Sequence, residues 1–143
     1  MQIILADDDE DDRMFFSDAI DEIKMNTITK LFNDGVELMN YLKQADAVLP
    51  HIIFLDLNMP KKNGMECLED IRNDANLKDL VIAIYSTSAS ETDIENTFVH
   101  GANVYINKPT DFNKLKSLLQ EVLSTNWQFH TSGLNKDTFL LSI

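Results

Sequence analysis

Four short apolar runs, each closed by a residue able to bind or react, constrain this chain more than any other feature. Ile3-Ile4-Leu5-Ala6 runs into Asp7 and Asp8, and Ile52-Ile53-Phe54-Leu55 into Asp56. Val81-Ile82-Ala83-Ile84-Tyr85 runs into Ser86, and Val104-Tyr105-Ile106 stops one residue short of Lys108. Near-continuous apolar stretches of this length read as strands buried on both faces, the mark of a parallel sheet. Open α/β sheets keep their ligands beyond the carboxyl ends of their strands. Three carboxylates, a hydroxyl and an ammonium are therefore expected on one rim.

Between these runs, five segments carry apolar or small residues at helical spacing. They are Phe16/Ala19/Ile20/Ile23, Gly35/Leu38/Met39/Leu42, Gly64/Cys67/Leu68/Ile71, Ile94/Thr97/Phe98/Gly101 and Leu115/Leu118/Leu119/Val122. Asp9 is the expected cap of the first helix, Ser90 with Asp93 predicts a capping-box start, and Gly101 a helix stop. Gly64 is expected in a left-handed turn entering the third helix. Ile28 to Phe32 predicts a further strand, more polar than the rest and so at an edge. Strand then helix, five times over, predicts a doubly wound α/β domain with a five-stranded parallel sheet and five flanking helices over residues 1–123.

Charge and composition narrow the partners. The formal net charge is -12. No basic cluster could track a phosphate backbone, which argues against nucleic acid. Seven of the excess negative charges fall before residue 25, where a solvated helix face and a cation site can coexist. The single cysteine, Cys67, excludes an internal disulfide framework and sits at an apolar helical position, so core packing is expected of it. No run approaches a membrane span and the N-terminus lacks the pattern of a signal peptide. The expected location is cytoplasmic. His51, His100 and His130 show no ligand spacing and are assigned no role.

Carboxylates without nearby His or Cys make a hard oxygen site, suited to Mg²⁺ rather than Zn²⁺. A cation relieves their mutual repulsion, and Mg²⁺ also coordinates phosphate oxygens, so a phosphoryl substrate follows. Asp56 is then placed as a nucleophile that accepts a phosphoryl group as an acyl phosphate. Lys108 and Ser86 could cover the other transferred oxygens, since such transfer needs mainly positioning and neutralised charge.

With these residues in place, the sequence resembles the receiver domain of two-component response regulators. The matching stretches are Ile-Leu-Ala-Asp7-Asp8-Asp9, Phe-Leu-Asp56-Leu-Asn58-Met-Pro60 with Gly64 following, Ser86-Thr87-Ser88, and Tyr105-Ile-Asn-Lys108-Pro109. The resemblance implies the flavodoxin-like strand order 2-1-3-4-5, with the site where strands 1 and 3 part. It implies Asp56 as phosphoacceptor, and a Mg²⁺ ion held by Asp8, Asp56 and the main-chain carbonyl of Asn58, with Asp7 acting through water. Ser86 matches the switch hydroxyl that contacts the phosphoryl group, Tyr105 the switch aromatic, and Lys108 the phosphate-pairing lysine. The Lys108–Pro109 peptide is expected to be cis.

The implied function is Mg²⁺-dependent acceptance of a phosphoryl group from a sensor histidine kinase or a histidine phosphotransfer protein. Hydrolysis follows, and output passes through an unknown downstream protein. Self-catalysed transfer and dephosphorylation would be its only chemistry, so it is not expected to be an enzyme in the ordinary sense. Two rivals stand beside this. A haloacid-dehalogenase-type phosphatase needs a second Asp two residues after its nucleophile, where this chain has Asn58. A phosphorylation-independent module on the same fold tends to lose acidic or lysine site residues, and none is missing. Residues 124–143 fall outside the alternation and carry Trp127, Phe129, Leu134, Phe139, Leu140, Leu141 and Ile143. They are expected to pack back on the domain, or to serve a partner or homodimer contact.

Overall fold

A computed structural model of the chain describes residues 1–125, 127 and 139–141. The elements alternate as β1 (Gln2–Ala6), α1 (Glu10–Glu22), β2 (Ile28–Phe32), α2 (Gly35–Leu42), β3 (Ile52–Leu55) and α3 (Gly64–Asn73). They continue as β4 (Val81–Ser86), α4 (Glu91–Val99), β5 (Val104–Asn107), α5 (Phe112–Ser124) and β6 (Leu140–Leu141). All pairings are parallel, in the order β2-β1-β3-β4-β5-β6. The expected five-stranded order is therefore present and carries one strand more.

The unbroken apolar runs are explained by two cores, one on each side of the sheet. Alternate side chains of a strand point to opposite faces. Ile3 and Leu5 of β1, with Ile52 and Phe54 of β3, pack under Phe16 and Ile20 of α1 and Leu115 and Leu119 of α5. Ile4 and Ala6, with Ile53 and Leu55, pack under Leu38 of α2 and Leu68 of α3. Phe16 sets its ring edge-on to Phe54 and Tyr85, with centroids 5.0 and 5.6 Å away. β2 lies at the edge as its polarity predicts, and leaves Ile28 and Leu31 exposed.

Helix starts follow local chemistry. Asp9 caps α1 by accepting the N–H of Asp12 at 3.1 Å. The reciprocal capping box belongs to α3, where Asn63 and Glu66 exchange bonds at 2.9 and 3.0 Å. At α4 the expected box is only half made. Ser90 accepts from the Asp93 N–H, while the Asp93 carboxylate takes the Ser88 hydroxyl at 2.7 Å.

Gly64 also differs from expectation. Positive φ falls at Lys61 (66°) and Gly101 (93°), not at Gly64. A Cβ on Gly64 would stand 2.1 Å from the main-chain oxygen of Asp56. The residue is needed because the backbone entering α3 presses against the strand that carries Asp56.

Cys67 is buried as expected, and burial pushes its thiol up to about 12. Arg72 braces the far end of the α3–β4 connection. Its guanidinium donates to the carbonyls of Gly101 (3.0 Å), Lys78 (2.9 Å) and Leu80 (2.6 Å), and to Asn103 Oδ1 (2.9 Å).

Among the described residues, the C-terminal segment meets the domain at Trp127 and around Phe139. The Trp127 indole donates to the Val122 carbonyl at 3.1 Å. Phe139 is fully buried ahead of β6, with Phe98 of α4 at 5.2 Å and Tyr105 of β5 at 6.2 Å, both edge-on. Phe129, His130, Leu134 and Ile143 lie outside the described residues. On α4 only Thr97 is fully buried, and Ile94 and Phe98 are partly so. Part of the cover for that helix thus comes from Phe139. Phe139→Leu keeps an apolar side chain but deletes both ring contacts, and is expected to cost about 1–2 kcal/mol in urea denaturation. An unchanged midpoint would show that Phe139 adds nothing beyond filling space.

Candidate functional site

The sheet's hydrogen-bond ladder runs past the strand ends and fixes the site residues directly. Asp7 N–H donates to the Phe32 carbonyl and Asp56 N–H to the Ala6 carbonyl, each at 3.0 Å. On the neighbouring strands, Lys108 N–H donates to the Ser86 carbonyl at 2.8 Å. The four residues therefore occupy one rim by backbone register, before any side-chain attraction acts.

Asp7 is fully buried and both its oxygens are in use. Oδ1 accepts the Asp9 N–H at 3.0 Å, and Oδ2 the Lys108 ammonium at 2.7 Å. Arg13 clasps the Asp7 main-chain carbonyl at 2.7 Å. Asp56, 5% exposed, is held more loosely. Its Oδ1 accepts from the Asn58 N–H at 3.4 Å and its Oδ2 from Lys108 at 3.5 Å. Both contacts lie at the limit of hydrogen bonding, so Asp56 keeps lone pairs for an incoming group.

Lys108 also pairs with Asp12 at 2.8 Å and lies over the Tyr85 ring at 5.1 Å. Burial alone would lower this ammonium, but the hydrogen bonds to Asp12 and Asp7 and the Asp56 charge hold it above the ordinary lysine range. Burial pushes the Asp56 carboxyl the other way for an acid, up to about 6. Lys108 opposes that rise and Asp7 adds to it.

Carboxylate oxygens of Asp7, Asp8 and Asp56 lie within 4.8 Å of one another, with Asp8 exposed and the other two buried. The set is all oxygen, without His or Cys, and it is anionic and open on the Asp8 side. That donor chemistry fits a hard divalent cation.

Ser86 and Tyr105 form a second, linked group. Ser86 is fully buried, and its hydroxyl oxygen accepts the Ser88 N–H at 3.1 Å. The Ser88 carbonyl in turn accepts the Tyr105 hydroxyl at 2.9 Å and the Asn107 amide at 3.1 Å. Tyr105 itself is fully buried, in the inward orientation. A short loop thus joins Ser86 on the rim to the aromatic side chain beneath α4.

One expectation is corrected here, and one residue joins the site. The described residues contain no cis peptide bond, so the Lys108–Pro109 bond is trans rather than cis as expected. The two isomers of an X–Pro bond differ by only about 0.5–1 kcal/mol, so surrounding packing decides between them. Asp12, in the first turn of α1, pairs with Lys108 across 96 positions of sequence, a contact that no local pattern announces. Its place one helical turn after Asp8 returns α1 towards the rim.

Residues 3–120 match the family described as the response regulator receiver domain. Among solved structures the chain is similar to the phosphorylated cyanobacterial phytochrome response regulator RcpA. Identity is 33%, TM-score 0.81, and coverage 87% of this chain and 95% of that one. It is also similar to the Mn(2+)-bound form of response regulator Rcp1, at 27% identity and TM-score 0.78, covering 86% and 91%. By sequence it is 27% identical over 123 residues to the probable methanogenesis regulatory protein FilR2 of Methanothrix harundinacea, covering 84% of this chain and 79% of that protein.

Proposed function

The chain belongs to the response regulator receiver domain family, and from that membership we propose that Asp56 accepts a phosphoryl group from a partner's phosphohistidine. The observation that carries the reading is the convergence of Asp7, Asp8 and Lys108 on Asp56 at the carboxyl end of β3. Receivers catalyse only their own phosphorylation and dephosphorylation, and the family works with histidine kinases or histidine phosphotransfer proteins.

An Asp56 carboxyl at about 6 is mostly ionised at neutral pH and free to attack. One of its oxygens bonds to phosphorus as the bond from phosphorus to the donor breaks, and the leaving group takes the electron pair. Lys108 would neutralise one transferred oxygen and the Ser86 hydroxyl would donate to another. The Asp8 and Asp56 carboxylates, with the Asn58 carbonyl and a water on Asp7, would hold Mg²⁺, which supplies charge neutralisation on the remaining side. Water attack on phosphorus later returns Asp56 and inorganic phosphate.

The Ser86–Ser88–Tyr105 chain of contacts supports the signalling half of the reading. Drawing the Ser86 hydroxyl onto a phosphoryl oxygen would disturb the loop that holds Tyr105 inward, and so bias the packing of α4. Among the described residues no helix is long and apolar enough to cross a membrane. A cytoplasmic site of action is part of the proposal. Output would pass to a downstream protein.

Acetyl phosphate with Mg²⁺ is expected to add one phosphoryl group by intact mass. The gain is expected to disappear in EDTA and in Asp56→Asn. A folded wild-type protein that gains nothing from acetyl phosphate or from a phosphohistidine donor would instead be a phosphorylation-independent module.

A further inference from the structure

Lys108 does not treat its three carboxylates alike. Its ammonium lies 2.7 Å from Asp7 and 2.8 Å from Asp12, the range of strong charge-assisted bonds, but 3.5 Å from Asp56. We propose that Asp12 is a positioning residue that holds the Lys108 ammonium back from Asp56 in the resting protein, so that phosphorylation must draw the lysine away from Asp12. The inference rests on the reading of Asp56 as phosphoacceptor.

The two tight partners differ in what they can give up. The Asp7 side chain has no exposure, so leaving it without its ammonium would strand a buried charge. The Asp12 side chain is 37% exposed and returns to water at little cost. Asp12 is therefore the bond that can be exchanged. When a phosphoryl group forms on Asp56, Lys108 keeps Asp7 and trades Asp12 for a phosphoryl oxygen. The geometry that sets up this competition is local. The Asp9 cap fixes the first turn of α1 through the Asp12 N–H, which points the Asp12 carboxylate at the end of β5.

Removing the competitor should therefore make phosphorylation faster, which structural damage would not do. The test compares the second-order rate constant for phosphorylation by acetyl phosphate, in Mg²⁺, for wild type, Asp12→Asn and Asp11→Asn. Asp11 is exposed on the same helical turn and outside the Lys108 ion pairs, so its variant makes the same change of charge without touching the lysine. The expected result is a rise of about fivefold in Asp12→Asn, the scale of one partly exposed ion pair, with Asp11→Asn at the wild-type rate. Thermal melts confirm that both variants are folded.

An unchanged rate in Asp12→Asn overturns the proposal. A fall overturns it too, because Asp12 would then present Lys108 rather than withhold it. An equal rise in both variants assigns the effect to net charge on the approaching anion. If wild type itself takes no phosphoryl group, the receiver reading fails and this inference falls with it.

Discussion

Lys108→Met is expected to destabilise the metal-free protein by about 3–5 kcal/mol at pH 8, the cost of stripping one partner from a buried charge cluster. The lysine side chain is 8% exposed, and the side chains of Asp7 and Asp56 are 0% and 7% exposed. Methionine fills the same volume and leaves both carboxylates without their cation. A lysine whose folded value is raised contributes stability that is complete below its unfolded value, near 10.5, and is lost only above it. The contribution is therefore whole at pH 8, and its removal is felt in full. The melting temperature should fall by on the order of 10 °C. The deficit should shrink towards pH 4–5 as the Asp56 carboxyl takes up its proton, and partly close with added Mg²⁺. Melts in EDTA and in Mg²⁺ at both pH values provide the check. A variant that melts with wild type at pH 8 in EDTA would show that the carboxylates do not depend on the ammonium.

The opposite sign is expected on the other side of the same contact. Asp56 titrates near 6 in the folded protein against 3.8 for an ordinary aspartate, chiefly because burial disfavours its charge. Between those values the folded state binds the extra proton, so wild-type stability falls as pH rises from about 4 to about 6 and stays low above. Asp56→Asn removes the ionisation and should stabilise the metal-free protein by about 2–3 kcal/mol at pH 8. The gain should vanish near pH 4, where wild type is already neutral at this position. Mg²⁺ should narrow the gap by binding folded wild type more tightly than the variant. Denaturant midpoints from pH 4 to 8 in EDTA measure this. A gain of constant size across that range would assign it to packing and not to charge. A variant unable to accept a phosphoryl group and yet more stable would mark Asp56 as a position where function is kept at the expense of stability.

These two variants bear on how legible the site was. Asp7, Asp8, Asp56 and Lys108 could be found because each follows an apolar run, and a run buried on both faces leaves its next residue at the rim. The same logic placed the polar Ile28–Phe32 strand at the edge. Asp12 resisted this reading. Its role depends on where the first turn of α1 falls relative to the end of β5, a relation set by packing on the sheet and carried by no local pattern. Gly64 was singled out for the wrong reason, since its constraint is the Asp56 carbonyl beside it rather than its own backbone angle. The strand β6 is two residues long, too short to show any period.

What the sequence determined by itself was the layer plan and the chemical content of the rim. Both follow from hydrophobic burial, which acts residue by residue and is written in the order of apolar and polar positions. What only the tertiary structure decided was the allocation of partners. Lys108 reaches Asp7 and Asp12 more closely than Asp56, Phe139 covers Phe98 and Tyr105, and the Lys108–Pro109 bond is trans. Each of these is a choice between alternatives of similar local energy. Such choices are settled by distances across the fold, which neighbouring residues in a sequence do not encode.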